Sequence, residues 1–245
     1  MALLEVSGLV RRFHGLAAVD GLSFEIDEGR TVAIIGPNGA GKSTAFNLVS
    51  GLLRPNAGTI RLDGRDITRA PSYVRTRAGL GRTFQLVQPF HDLDVLGNVM
   101  VGALFGGRQK RSLAGARTRA IELCGLVGLG GHLSAAVSAL TIADRKRLEL
   151  ARALATEPRL LLLDELMEGL TPTEERDAVA LLGRIRAQGV TLLLIEHVMS
   201  TVRELSDHVI VMDYGKKLAE GDYATVSHDP AVIAAYLGTE EEAAS

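Results

Sequence analysis

The 245-residue chain is long enough for one large domain, or for a domain with a smaller insert, and its 47% hydrophobic and 23% charged residues are typical of a folded globular protein. Lys and Arg number 27 and Asp and Glu 29, so the formal net charge of −2 provides no overall positive field of the kind that nucleic-acid-binding proteins show. A single cysteine, Cys124, excludes an intramolecular disulfide framework and a cysteine-based zinc site.

The beginning of the sequence, MALLEVSGLVRRF, has Glu5 within its first apolar stretch and lacks the basic-then-apolar layout of a signal peptide. The longest apolar runs, residues 160–163 and 190–195, are far too short to span a bilayer and favour buried strands instead. We therefore expect any membrane role to come through a partner protein.

Short apolar runs separated by turn residues predict strands at LLEV, LSFEI and TVAII within residues 3–35. Residues 43–52 have the spacing of a helix. The next segment, GTIRLDGRDI, contains the favoured tight-turn pair Asp63-Gly64 and predicts a hairpin.

A glycine-rich loop, GPNGAGKST, lies between the strand TVAII and the helix at 43–52, which is the context that the GxxxxGK[ST] pattern requires. Glycines let the backbone N–H groups point inward, and the helix N-terminus adds the positive end of its dipole, so the loop predicts phosphate binding. We expect Lys42 to reach the β- and γ-phosphates and Ser43 to ligate Mg²⁺. The residues expected to hold the phosphates are Gly36, Asn38, Gly39, Ala40, Gly41, Lys42, Ser43 and Thr44.

A second chemical signal follows the buried strand at 160–163, where Asp164 and Glu165 stand at the strand end that an α/β sheet presents to ligands. We expect Asp164 to hold Mg²⁺ through water and Glu165 to polarise the attacking water. The pattern then predicts a helix over 172–187 and a strand over 191–195, after which His197 is placed to contact a γ-phosphate or to serve a structural role. Strands and helices alternating in this way imply a parallel sheet and an α/β fold.

These motifs resemble, in order and approximate spacing, those of the nucleotide-binding subunits of ABC transporters. The segments that carry the resemblance are GPNGAGKST, FQ at Phe84-Gln85, LTIADRKRLELARAL, LLLLDE and IEH. A closer resemblance, to the ATPase of branched-chain amino acid importers and of the related urea and amide importers, lies in GRTFQ, LELARALATEP, LLLIEHVMSTV and DPAVIAAYLG. The likeness covers nearly the whole chain.

The resemblance implies a single ABC-type ATPase domain over residues 1–245. Its P-loop NTPase core, a RecA-like parallel sheet with an N-terminal antiparallel β subdomain, would occupy residues 1–88 and 156–245. An inserted α-helical subdomain, which the helical pattern between Leu93 and about Ala155 also predicts, would occupy residues 89–155 and end in the signature motif.

The resemblance also implies ATP and Mg²⁺ as cofactors and assigns further site residues. Gln85 would contact Mg²⁺ and water and sense the permease, His197 would be the switch histidine, and Phe13 would stack on adenine. Thr141 and Ala143, in the signature segment, would face the ATP of a second subunit in a head-to-tail dimer.

Two segments depart from the family pattern. The signature is usually Leu-Ser-Gly-Gly-Gln, whereas residues 140–144 read LTIAD, and the methyl group of Ala143 is expected to crowd the partner's γ-phosphate. The same residues fit a capping-box-like helix start that needs no ligand. After the carboxylate pair, Leu166 replaces the usual proline, and Thr171 stands where many members have Asp or Asn. Thr171 followed by Pro172 also fits an N-cap and the first residue of a helix.

The implied partners are permease subunits, a second ABC ATPase subunit and, indirectly, a periplasmic or extracytoplasmic solute-binding protein. A heterodimer is favoured and a homodimer stays open. Phe90 and Leu93 are candidates for apolar contacts with the permease, although they equally fit the core of the insert. The location expected from these partners is peripheral, on the cytoplasmic face of the plasma (inner) membrane.

The leading interpretation is the ATPase subunit of an importer for branched-chain amino acids or related small polar solutes. A soluble ABC-type ATPase that acts on nucleic acid or ribosomes is disfavoured, because the chain has neither a basic arm nor tandem ATPase units. A regulatory subunit with weak intrinsic turnover stays open because of Ala143.

Overall fold

The computed structural model describes residues 2–84, 88–106 and 112–242, so Gln85 lies outside the described residues. The chain divides into two compact units. The first unit comprises Met1–Ser72 and Thr191–Ser245, and the second comprises Tyr73–Val190. None of the helices in the described ranges is long and apolar enough to cross a membrane.

The strands are, in chain order, β1 (Ala2–Phe13), β2 (Leu16–Asp27), β3 (Thr31–Ile35), β4 (Ala57–Leu62), β5 (Arg65–Asp66), β6 (Leu80–Arg82), β7 (Leu160–Asp164), β8 (Thr191–Ile195), β9 (His208–Asp213) and β10 (Lys216–Gly221). The helices are α1 (Lys42–Ser50), α2 (Ser72–Arg77), α3 (Val95–Phe105), α4 (Leu113–Leu126), α5 (Ile142–Leu154), α6 (Pro172–Ala187), α7 (Met199–Leu205), α8 (Tyr223–Ser227) and α9 (Pro230–Glu242). Short 3₁₀ turns occupy Gly130–His132 and Val137–Ala139.

An antiparallel sheet with the order β2-β1-β4-β5 lies in the first unit. The predicted hairpin is confirmed: Leu62 pairs with Arg65, and the turn residues Asp63 and Gly64 both have positive φ, of 52° and 70°. β1 and β2 are each 12 residues long, longer than the apolar runs that predicted them, because their ladder continues through several register shifts.

The first unit also contains a mixed sheet in which β3 lies between β8 and β9 and is parallel to both. β10 extends it as an antiparallel neighbour of β9. All five residues of β3 and all five of β8 are buried, as the unbroken apolar runs predicted for strands covered on both faces. Helix α1 follows β3 across the glycine-rich loop and ends at Gly51, whose φ of 80° is left-handed.

In the second unit β6 and β7 pair in parallel, and all residues of β7 are buried. Helices α3, α4 and α5 lie within residues 89–155 and pack on one another. The division of the chain into a core and an insert with those bounds stays a prediction. Helix α6 has the bounds that the sequence predicted, and it begins at Pro172 because Thr171 and Glu174 form a full capping box around its first turn.

Candidate functional site

The glycine-rich loop is packed so tightly within the first unit that side chains are excluded at two positions. A Cβ atom on Gly36 would lie 2.1 Å from the carbonyl oxygen of Met212, and one on Gly41 would lie 2.2 Å from that of Ala18. Both glycines also have positive φ, of 146° and 97°. The loop is further tied to the turn between β9 and β10, because the Gly215 N–H donates to the Ala40 carbonyl at 3.0 Å. The backbone conformation of the loop is therefore fixed by its surroundings.

Lys42 lies inside this loop. Its side chain is 6% exposed, and its ammonium donates to the carbonyls of Gly36 at 2.7 Å and Pro37 at 2.9 Å. Lys42 is the first residue of α1 and its N-cap is Gly41, which has no side chain to cap the helix. A buried cation and the positive end of the helix dipole thus occur together, which is the arrangement that attracts phosphate.

The remaining predicted residues of the loop differ in their exposure. Asn38, Gly39 and Ser43 are exposed, whereas Gly36 and Ala40 are buried. Thr44 is half-buried on the first turn of α1. The exposed Ser43 hydroxyl and the exposed backbone at Asn38 and Gly39 are the parts of the loop that an anion and its counter-cation can reach.

Two further predicted residues belong to the first unit. Ile34 of β3 pairs with Ile195 of β8, so Gly36 and His197 follow at the same carboxyl edge of the mixed sheet. His197 is exposed there. Phe13 ends β1 and is 38% exposed, and the guanidinium of Arg11 lies 4.5 Å from the centre of its ring.

In the second unit Asp164 is 7% exposed at the end of β7. Its Oδ2 accepts a hydrogen bond from the Arg82 guanidinium at 2.9 Å, and its N–H donates to the Thr83 hydroxyl at 3.3 Å. Burial raises the pKa of Asp164, and the Arg82 charge offsets part of that rise. The sequence did not reveal this ion pair, which fixes the orientation of the carboxylate.

Glu165 has a left-handed backbone, with a φ of 49°. Lys146 of α5 donates to the carbonyls of Glu165 at 3.0 Å and Leu166 at 2.9 Å, so one ammonium holds this strained turn. Non-glycine residues rarely adopt such a conformation unless their surroundings impose it, and residues held in this way cluster at functional sites. Glu165 is half-buried at this turn.

The start of α5 has the cap that the sequence allowed. The Thr141 hydroxyl accepts the Asp144 N–H at 3.1 Å and donates to the Asp144 carboxylate at 2.9 Å. Ala143 is 7% exposed, whereas the neighbouring Ile142 is 62% exposed. The cap accounts for the local fold of this segment, and Thr141 itself is exposed.

Sequence reasoning missed a buried carboxylate, Glu149, which is 4% exposed on α5. Its Oε1 accepts the Phe84 N–H at 2.7 Å. Burial raises the pKa of Glu149 from 4.5 to about 7, although Arg152, Lys146 and Arg82 act in the opposite direction. Its position between Leu148 and Leu150, in the amphipathic run RLELARAL, was the available signal.

Comparisons with known families agree with the motif resemblance. The sequence profile described as "ABC transporter" matches residues 19–168. The profile described as "Branched-chain amino acid ATP-binding cassette transporter" matches residues 216–242.

Similar proteins span the chain almost end to end. The chain is 39% identical to the high-affinity branched-chain amino acid transport ATP-binding protein BraF of Pseudomonas aeruginosa, over 96% of this chain and 98% of that protein. It is 30% identical to the probable branched-chain amino acid transport ATP-binding protein LivG of Archaeoglobus fulgidus, over 98% of this chain and 97% of that protein. The fold is similar to the crystal structure of a nucleotide-free ATP-binding cassette from an ABC transporter, with a TM-score of 0.87 and 29% identity over 96% of this chain and 99% of that one.

The raised pKa of Glu149 predicts a pH-dependent cost to folding. As pH rises from 4.5 towards 7, the carboxyl ionises first in the unfolded chain, so the folded state loses stability over this window. The full difference between the pKa of Glu149 in the unfolded and folded chain corresponds to roughly 3 kcal/mol of unfolding free energy. We expect the stability of Glu149→Gln relative to the unmodified chain to increase by about 2 kcal/mol between pH 5 and pH 8, as measured by urea unfolding.

The matched control is Glu122→Gln, because the Glu122 side chain is 57% exposed. Its stability difference from the unmodified chain should stay constant over the same pH range. A constant difference for Glu149→Gln as well would show that Glu149 titrates normally.

Proposed function

The chain belongs to the ABC transporter family, and on that premise we propose that it energises an importer of branched-chain amino acids or related small polar solutes. As a member of this family it binds and hydrolyses ATP. The observation that carries the choice of solute is the 39% identity to BraF over 96% of the chain. The match of residues 216–242 to a branched-chain amino acid transporter profile adds support. Similarity to importer subunits along the whole length favours this function over a soluble or regulatory ATPase.

The loop of the first unit is proposed to hold the ATP phosphates. Lys42 already has its charge inside the loop, so an incoming phosphate replaces the carbonyls of Gly36 and Pro37 as its partner. Phe13, exposed at the end of β1, offers an aromatic face for the adenine ring.

Mg²⁺ is proposed to be held by the Ser43 hydroxyl, Gln85 and Asp164, the last of them through water. All three donors are oxygen atoms, which fit this hard cation. When bound, the metal neutralises charge that builds up on the phosphates during transfer. The Arg82 guanidinium orients the Asp164 carboxylate for this role and offsets part of the rise that burial causes in its pKa.

Hydrolysis is proposed to depend on Glu165, which orients and polarises the attacking water as a general base. The two Lys146 hydrogen bonds hold its backbone in the left-handed conformation and so fix the direction of the side chain. His197 is proposed to contact the γ-phosphate from the carboxyl edge that it shares with the phosphate loop. Gln85 is proposed to position water and to report the state of the permease.

A second ABC ATPase subunit is proposed to complete each ATP site through its signature segment, with a heterodimer favoured over a homodimer. In this chain Thr141 and Ala143 would face the partner's nucleotide. The exposed Thr141 hydroxyl is at the N-terminus of the 13-residue helix α5, where the helix dipole favours an anion. The buried methyl of Ala143 would affect only the site that this signature segment serves.

The permease is proposed to dock near Phe90 and Leu93, which are 47% and 38% exposed. The backbone of Phe90 is fixed by the buried Asn98, which accepts its N–H at 2.8 Å and donates to its carbonyl at 3.0 Å. This leaves an apolar ring exposed on a rigid support, which suits a protein contact.

The proposed location is therefore peripheral, on the cytoplasmic face of the membrane that holds the permease. The solute-binding protein would act only through the permease, and nucleic acid has no part in this function.

The chemical assignment predicts that nucleotide binding and hydrolysis separate in two variants. Lys42→Ala should weaken ATP binding at least about tenfold, because it removes a charge that contacts the phosphates. Glu165→Gln should bind ATP within about twofold of the unmodified chain but hydrolyse it roughly 100-fold more slowly. Equilibrium titration of the subunit and phosphate release from the assembled transporter measure the two effects.

Lys216→Ala and Glu122→Gln are the matched controls, because both side chains are largely exposed. They should leave binding and hydrolysis unchanged. Hydrolysis by Glu165→Gln at the normal rate would refute its role as the base.

The docking assignment predicts that Phe90→Glu combined with Leu93→Glu lowers the affinity for the permease by about 30-fold, since charges would replace apolar contacts. Copurification with the permease measures this loss. ATP binding by the isolated subunit should persist. Ile121→Glu is the control, since Ile121 is 37% exposed on α4. A double variant that copurifies stoichiometrically would place the permease contact elsewhere.

A further inference from the structure

Three charged side chains of α5 lie on one side of the helix and contact segments of the chain distant in sequence. Lys146, Glu149 and Arg152 are spaced three residues apart, which keeps them on one helix face. We call these three residues the clamp face. Each of them makes at least one hydrogen bond to a backbone group outside α5.

Two members of the clamp face hold the residues that flank positions 85–87. Glu149 accepts the Phe84 N–H at 2.7 Å, and Arg152 donates to the Gln88 carbonyl at 2.9 Å. The guanidinium of Arg152 also lies 5.1 Å from the centre of the Phe90 ring. Phe84 and Gln88, the residues on either side of positions 85–87, are therefore both hydrogen-bonded to the same helix.

The third member, Lys146, holds the carbonyls of Glu165 and Leu166. Arg82, two residues before Phe84, holds the Asp164 carboxylate. Hydrogen bonds from α5 and from Arg82 of β6 thus connect two parts of the chain. One part comprises the residues that flank positions 85–87, and the other is the carboxylate pair Asp164 and Glu165.

Glu149 is the acidic member of the clamp face, and the burial of its carboxyl group costs free energy of folding. Its Oε2 is buried and accepts no hydrogen bond within the described part of the chain. A buried carboxylate with an unsatisfied oxygen destabilises a fold unless its charge is compensated. Lys146, Arg152 and Arg82 all favour its ionised form, and burial outweighs them. The stability of the fold therefore does not account for a carboxylate at this position.

We propose that Glu149 is a positioning residue, which fixes Phe84 to α5 so that the backbone leading into Gln85 keeps a set position relative to the turn at Glu165. A carboxyl oxygen suits this task because it accepts an N–H whether or not the group is ionised. Arg152 restrains the other flank at Gln88. Movement of either flank is then transmitted through α5 to the Lys146 contacts at Glu165 and Leu166. The inference rests on the proposed function, in which Gln85 and Glu165 serve hydrolysis.

The test compares Glu149→Leu and Glu149→Gln with the exposed-site control Glu122→Leu. Glu149→Leu removes the acceptor of the Phe84 N–H, so the exchange rate of this amide, followed by NMR in the isolated subunit, should rise about tenfold. In Glu149→Gln the side-chain amide oxygen still accepts this bond, and exchange should stay near that of the unmodified chain. Glu122→Leu should change neither this exchange rate nor activity.

Kinetics of the assembled transporter separate positioning from a loss of fold. We expect kcat for ATP of Glu149→Leu to fall about tenfold while the ATP affinity of the isolated subunit stays within about twofold, because the phosphate loop belongs to the other unit. Glu149→Gln should recover most of kcat. Unchanged kcat and unchanged Phe84 exchange in Glu149→Leu would overturn the proposal, as would equal losses of kcat and affinity.

ATP hydrolysis by the unmodified transporter distinguishes failure of the proposed function from failure of the positioning role of Glu149. If it fails to hydrolyse ATP, the proposed function is wrong, whereas normal turnover with an unaffected Glu149→Leu refutes only the positioning role. If Glu149→Leu does not fold, Arg152→Gln tests the other flank, because it removes the Gln88 contact and leaves Glu149 in place. A fall in kcat without loss of affinity supports the clamp face, and an unchanged kcat overturns it.

Discussion

The tight packing of the glycine-rich loop against neighbouring carbonyls is the constraint on which the proposed function depends. Gly36 and Gly41 leave no space for a Cβ atom next to Met212 and Ala18, so the loop has one available backbone path. That path buries the ammonium of Lys42 against two loop carbonyls. Because these carbonyls are dipoles without full charge, a phosphate can replace them as the partner of the ammonium. In the proposed function, this packing preorganises the loop for an anion.

Buried charge plays a different part in the second unit. The Arg82 to Asp164 pair and the Glu149 carboxylate are buried, and Lys146 is half-buried. Buried charges contribute little net stability, because their desolvation offsets their attraction. What these groups provide is direction: each one fixes a specific backbone group or carboxylate oxygen. A catalytic site needs such fixed geometry more than it needs stability, since small displacements reduce the rate steeply.

Local patterns predicted the parts of the structure that depend on local chemistry. The glycine-rich loop between β3 and α1, the hairpin turn at Asp63-Gly64 and the helix Pro172–Ala187 each have their turn or cap residues within a few positions. The apolar strands β3, β7 and β8 were also predictable, since they are buried throughout.

Contacts between residues distant in sequence could not be predicted from local patterns. The strand β6 has only three residues and exists through its pairing with β7, about 80 positions away. The same pairing brings Arg82 to Asp164, and only the tertiary fold buries Glu149. The helices α7 to α9 and the hairpin of β9 and β10 were likewise not predicted.

Calorimetric titration of the purified chain with ATP and with adenosine tests most directly whether the loop holds a nucleotide by its phosphates. We expect one ATP to bind per chain and adenosine to bind at least about 100-fold more weakly, because charge at Lys42 and the α1 N-terminus supplies most of the affinity. Adenosine binding as tightly as ATP would contradict this role of the loop.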